Sequence, residues 1–224
     1  MLPLTLDGLN DDGICVYTDE AGRGCFAGPV CAAVVVWSKD YKPENLNITE
    51  QKLYESVKDS KKLSESKRIK IAEFIKKHAK AYAIACVDNE EIDKINILQA
   101  TFKAMHKALD EVSDKLFEKT GNNIIDHIFV DGNRFKTYIG KGKDKEYISH
   151  TCIVDGDAKL FQIAAASILA KTYRDKYITD LGNSCDELKV YKWDKNKGYG
   201  TKEHTDAIKV HGISTYHRKT FIHF

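Results

Sequence analysis

Residues 14–37 read ICVYTDEAGRGCFAGPVCAAVVVW. Two runs of β-branched, aromatic and small apolar residues, 14–18 and 30–37, are each long enough for a buried strand. Between them Asp19 and Glu20 stand directly against Gly22-Arg23-Gly24. Acid beside glycine suits a metal site. Arginine beside glycine suits a phosphate, because glycine lets backbone N–H groups come close and arginine forks onto oxygens. A tight turn is the plainer reading of Gly-Arg-Gly taken alone.

Outward from this unit, residues 81–87 (AYAIACV) form a third strand, 124–130 (IIDHIFV) a fourth and 147–154 a fifth. Ser64 is an N-cap for a helix carrying Ile69, Ala72, Ile75 and Ala79 at helical spacing. Residues 96–119 carry a longer pattern through Ile97, Phe102, Met105, Leu109, Val112 and Leu116, with Gly121 as its stop. Residues 158–179 are the most apolar helix, and 202–211 the last one. Three strands, helices, two strands and a helix predict an α/β fold: a five-stranded mixed sheet flanked by helices, in one domain with a helical C-terminal appendage.

The chain has 224 residues, with 42% hydrophobic and 30% charged. That balance suits a single substantial core and argues against a disordered chain. Net charge is +2, so no global basicity points to nucleic acid, but lysine-rich runs occur at 58–80, 134–145 and 189–202. The six cysteines contain no C-x-x-C pair and read as reduced thiols of a cytoplasmic protein. The N-terminal residues lack the pattern of a secretion signal, and no run has membrane-spanning length.

The acids fall at strand ends: Asp19 and Glu20, then Asp131, then Asp155 and Asp157. Sites in sheets with parallel neighbours collect at the carboxyl ends of strands. Carboxylates gathered there repel unless a cation neutralises them, and oxygen-only ligands favour Mg²⁺ or Mn²⁺. Two such ions can clamp a phosphodiester for attack by water. Asp131-Gly132 alone is equally a turn.

Six segments in order carry a resemblance: DEAGRGCFAGPVCAAVVV (19–36), DSKKLSESKR (59–68), INILQATFKAMHKAL (95–109), FVDGN (129–133), GDAKLFQIAAASILAKTYRDKY (156–177) and KGYGTKEHTDAIKVHGISTYHRKTF (197–221). Together they resemble the ribonuclease HII family. The resemblance implies a ribonuclease H-like fold spanning 1–224, with about 185–224 as an appendage lining the substrate groove. It implies hydrolysis of the RNA strand of RNA/DNA hybrids and nicking 5′ to single ribonucleotides in duplex DNA. Water rather than the 2′-OH would attack, leaving 3′-OH and 5′-phosphate ends. By motif position, Asp19, Glu20, Asp131 and Asp157 are the catalytic and metal-binding acids, holding two Mg²⁺ or Mn²⁺ ions. Gly22, Arg23, Gly24 and Tyr199 are the substrate-binding residues that read the ribose 2′-OH. Lys61 and Lys62 are either phosphate contacts or ordinary surface lysines.

Asp155 is the rival to Asp157, and the family's G-D-A motif selects Asp157. Asp175 reads as an ion-pair partner of a nearby base, Lys171 as a residue within reach of the groove. His204, His211, His217 and His223 invite a metal or general-base role, but without a zinc-type partner pattern they read as packing or capping groups; Tyr191 and Trp193 read as either nucleic-acid contacts or filling of the appendage. Cys25-Phe26 departs from the family, which often has proline and a small aliphatic there. With little sequence after the HRKTF segment, no clamp-binding tail is expected, and the protein is expected to act as a monomer. The alternatives are a non-catalytic nucleic-acid-binding module of the same fold, disfavoured by the four acids, and a DNA nuclease, which needs no 2′-OH reader. The sister family ribonuclease HIII would lack Arg23.

Overall fold

The computed structural model describes residues 13–38, 40–57, 63–121, 125–140 and 147–223. Strands β1 (Cys15–Ala21), β2 (Val30–Val36) and β3 (Ala81–Val87) form an antiparallel meander. Strands β4 (His127–Asp131) and β6 (Tyr147–Ile153) then extend the sheet in parallel with β1. The sheet has six strands in the order β3-β2-β1-β4-β6-β5, not the five expected from sequence. The extra one, β5 (Tyr138–Ile139), is two residues long and pairs antiparallel with β6 at the edge. A strand that short leaves no alternating pattern to read.

All seven residues of β2 are buried, because helices cover both faces of the sheet. Helix α4 (Ile97–Thr120) packs on one face against Val16, Val30, Ala32, Ala83, Ile128 and Val130. Its N-cap Asn96 accepts from the N–H groups of Leu98 and Gln99, and Gly121 ends it in the left-handed region. Helices α2 (Glu65–His78) and α5 (Phe161–Gly182) cover the other face, against Ala33 and Val35. The run Ala164-Ala165-Ala166 is fully buried there, which lets α5 lie close to the strands.

Two helices went unanticipated, α1 (Ile48–Ser56) and α3 (Asn89–Ile95). After α5 the chain makes two short turns, α6 (Asp186–Lys189) and α7 (Trp193–Asn196), and then α8 (Lys202–His211). Trp193, Tyr191, Leu188 and Ile208 bury themselves with Ala27 and Ile178, so the aromatics among these lysines fill the C-terminal part. Two cysteines depart from the reduced-thiol expectation. Cys31 and Cys86 are directly opposed on β2 and β3, their Cα atoms 4.1 Å apart, and are joined as a disulfide. Cys25, Cys152 and Cys185 are thiols.

Candidate active site

Strands β1, β4 and β6 run parallel and end at one edge of the sheet. Tyr17 lies opposite Phe129, and their rings stack 5.0 Å apart against Ile163 of α5. Side chains repeat every second residue along a strand, so Asp19 and Asp131 emerge two positions on, on that same face. β1 extends further than its apolar run, because pairing with β2 continues to Ala21 opposite Cys31. Asp19 and Glu20 therefore sit among the last three residues of the strand rather than after it.

The carboxylates constrain one another. Asp19 is only 5% exposed. Burial raises its carboxyl well above the usual range, and the charges of Glu20 and Asp131 add to this, against hydrogen bonds from Ser167 and the Glu20 N–H. Burial likewise raises Glu20, with Asp131 adding to it, while Arg23 pulls the other way from 3.2 Å. Asp131 Oδ1 accepts the Gly156 N–H at 2.7 Å. That bond fastens the end of β4 to the single 3-10 turn Gly156–Ala158, which carries Asp157. Asp157 is buried and Asp155, at the left-handed residue ahead of the turn, is exposed. A Cβ on Gly156 would meet Ile163 at 2.7 Å and Asp131 Oδ1 at 3.1 Å, so this tight approach needs glycine.

Among the described residues no three Asp, Glu, His or Cys side chains already close into a cation cage. The donor set nevertheless fits a hard divalent cation: it is all oxygen, and burial together with the charges of Glu20 and Asp131 pushes Asp19 toward protonation, a penalty that a cation removes.

Next to Glu20 lies a cavity of about 320 Å³, lined by Ala21, Gly22, Arg68, Ser167, Lys171 and Tyr199. Arg23 and Gly24, the next residues after Gly22, are exposed, and a Cβ on Gly24 would meet nothing within 4 Å; the Arg23 side chain lines a second cavity on the other side of Glu20. Tyr199 is 38% exposed, with Lys171 Nζ 5.0 Å and Arg174 Cζ 5.8 Å from its ring centre. It reaches this place by bridging to Cys25, while the Phe26 N–H bonds Gly198 O at 2.8 Å. The structure accommodates the departure at Cys25-Phe26: Cys25 is buried beneath Tyr199, and the Phe26 ring lies over Gly200 and against His204. That second cavity is smaller, about 90 Å³, and opens between α4 and Asp131, Asn133 and Arg134.

Of the residues singled out in the sequence, Asp19, Glu20, Asp131, Asp157, Gly22, Arg23, Gly24 and Tyr199 come to this end of the sheet. Lys61 and Lys62 lie outside the described residues. Asp175 pairs with Arg68 (3.2 Å) and Lys171 (3.0 Å), as expected of a structural acid. His204 and His217 are buried in the C-terminal cluster. Sequence reasoning missed Ser167, Arg174 and Arg218. The first two were findable: Ile163, Ser167, Lys171 and Arg174 follow helical spacing along one face of α5.

A family model described as ribonuclease HII matches residues 17–224. A ribonuclease HII of Parabacteroides distasonis is 48% identical over 203 residues, 91% of this chain and 87% of that one. The ribonuclease HII of Archaeoglobus fulgidus, solved in a complex with PCNA, superposes with a TM-score of 0.65 at 23% identity, covering 92% and 93% of the two chains. Bst-RNase HIII, solved in complex with Mn²⁺, gives a TM-score of 0.57 at 16% identity over 88% of this chain and 70% of that one. With the acids at the ends of three parallel strands and the family model spanning nearly all of the chain, the protein belongs to the ribonuclease HII family, the type 2 ribonuclease H hydrolases.

Proposed function

We propose that the protein hydrolyses the RNA strand of RNA/DNA hybrids and nicks 5′ to single ribonucleotides in duplex DNA. The observation that carries this reading is that β1, ending in the buried Asp19 and half-buried Glu20, runs directly into the exposed Arg23 and Gly24. Asp19, Glu20, Asp131 and Asp157 would hold two Mg²⁺ or Mn²⁺ ions. Bound there, the ions supply Lewis acidity at the phosphodiester and activate water at neutral pH.

The chain's own residues do the rest. Ser167 and the Glu20 N–H fix the Asp19 carboxylate, and the Gly156 N–H fixes Asp131. Arg23 holds Glu20 and brings a cation beside the acids. The backbone of residues 22–24 and the Tyr199 ring meet the ribose, whose 2′-OH distinguishes RNA from DNA. Backbone contacts do not read bases, so cleavage is independent of sequence. Water, not the 2′-OH, attacks, and the products carry 3′-OH and 5′-phosphate ends. Residues from about 185 onward, which present Tyr199, line the substrate groove.

The test is cleavage of a labelled DNA duplex containing one ribonucleotide, beside a full hybrid and an all-DNA duplex, with Mg²⁺, Mn²⁺ or EDTA. Wild type should nick 5′ to the ribonucleotide only with a metal, and Asp131→Asn should not. Cleavage of the full hybrid alone would remove the ribose-junction role from Arg23 and Tyr199. Binding without cleavage under either metal would favour a binding module.

A further inference from the structure

Two arginines lie wholly inside the molecule: Arg174 on α5, and Arg218 after α8. A buried guanidinium is costly unless its N–H groups are satisfied. Here the acceptors are backbone carbonyls, mostly of one loop. Arg218 donates to Gly28 O (2.9 Å) from Nε, to Arg23 O (2.8 Å) from Nη1 and to Gly22 O (2.7 Å) from Nη2. Arg174 donates to Pro29 O (3.2 Å) from Nε, to Ala27 O (2.9 Å) from Nη2 and to Lys197 O (2.6 Å) from Nη1. Its Nη1 also lies 3.8 Å from Asp175. Five of these six carbonyls belong to residues 22–29, and the sixth immediately precedes Gly198-Tyr199.

In a planar trans peptide the C=O and N–H point in opposite directions. Drawing the carbonyls of Gly22 and Arg23 inward to Arg218 therefore turns the N–H groups of Arg23 and Gly24 outward. Outward is the open side, where a Cβ on Gly24 would touch nothing. Arg174 meanwhile joins the same loop to the segment that carries Tyr199.

We propose that Arg218 and Arg174 are positioning residues for ribose recognition, aiming the amides of Arg23 and Gly24 and holding that loop in register with Tyr199. The inference rests on the reading that this loop and Tyr199 recognise the 2′-OH. A lysine cannot replace either arginine, because one ammonium cannot span three carbonyls in a fixed fork. Duplex affinity comes mainly from phosphates and would be little affected.

The experiment compares full-length Arg218→Lys and Arg174→Lys with wild type on the single-ribonucleotide duplex, measuring kcat, KM and the thermal midpoint. Arg23→Ala and Tyr199→Ala, which removes the ring, are run alongside. Misplacing the reader should lower kcat of the folded lysine variants roughly a hundredfold with KM within about twofold. A merely structural role would lower the thermal midpoint and leave kcat per folded molecule intact. If folded lysine variants keep wild-type kcat while Arg23→Ala or Tyr199→Ala loses it, the positioning role is wrong and the ribose reading stands. If all four retain wild-type kcat, the ribose reading itself fails, and the positioning role with it. Should the lysine variants not fold, site-resolved amide exchange of wild type decides. The Arg23 and Gly24 amides should exchange fast in the free protein and slow on binding a hybrid in Ca²⁺. Protection already present in the free protein would overturn the proposal.

Discussion

Gly22 answers to two constraints at once. Its φ of +92° lies where side chains are strained, and a Cβ there would stand 2.3 Å from Arg174 Nε. That atom cannot give way, because the same guanidinium is held by three carbonyls. Gly22→Ala should therefore destabilise the protein by about 1–3 kcal/mol. It should also lower cleavage of a single-ribonucleotide duplex in the fraction that stays folded. Denaturant unfolding and single-turnover cleavage measure the two effects separately. Asp155 and Asp157 make a second contrast at this scale. Only Asp157 is buried beside the turn that Asp131 fastens, while Asp155 is exposed. Asp157→Asn should reduce cleavage by at least roughly a hundredfold and Asp155→Asn by less than about twofold, since a lost contact to the reacting groups costs several kcal/mol and a solvated surface acid almost nothing. Equal losses in the two would reassign the fourth acid.

At the scale of elements, the C-terminal part is held by a neutral histidine pair. His204 Nδ1–H donates to Tyr199 O at 2.9 Å, so its Nε2 is the acceptor, for Trp193 Nε1–H (3.0 Å) and for His217 Nε2–H (3.0 Å). His217 Nδ1 accepts the Ser214 N–H at 2.9 Å, which fixes the complementary tautomer. Tyr191 and Trp193 close over His217 with ring centres at 4.7 and 5.4 Å. Burial, and then the neighbouring His204, bring His217 down to about 4. A histidine with a depressed folded pKa stabilises the fold fully above its unfolded value near 6.5, and that contribution is lost as pH falls through 6.5 toward 4. The loss should reach roughly 2–3 kcal/mol by the bottom of that window. Thermal midpoints from pH 7.5 to 4.5 should show it in wild type, and His217→Gln should flatten the curve over this window. Much at this scale was legible in the sequence. Ser64 caps α2, Gly121 stops α4, and residues 81–87 and 202–211 are the bounds of β3 and α8. Helices α1 and α3 carry capping signals, Asn47 with Glu50 and Asp88 with Glu91, but are too short for a 3.6-residue period to emerge. The end of β1 was misplaced because strand pairing carried Asp19 and Glu20 into the sheet against their own low β-propensity. Neither the Cys31–Cys86 pairing nor the Arg218 fork was legible, since each depends on residues brought together from 55 or more positions apart.

Across the whole molecule the net charge of +2 understates what a duplex would meet. Acidic oxygens lie at the ends of the parallel strands, and cations stand around them: Arg68 and Lys171 in the larger cavity, Arg23 and Arg134 in the smaller one. These cations are not equivalent. Arg68 is committed to Asp175 and to Leu63 O, and Lys171 to Asp175 and the Tyr199 ring. Arg134 is exposed on the far side of Asp131, where a strand passing over the acids would bring its next phosphates. Each phosphate neutralised by a protein cation releases counterions, so it adds slightly under one unit to the slope of log affinity against log salt. Arg134→Ala should therefore lower that slope by about one for hybrid and all-DNA duplex alike, leaving the ratio of their affinities unchanged. Arg23→Ala should instead change that ratio, because its loop meets the sugar. Fluorescence anisotropy in Ca²⁺ between low and physiological salt measures both quantities on one titration series. An unchanged slope in Arg134→Ala would show that no phosphate sits at Arg134 and would leave that end of the small cavity outside the substrate path.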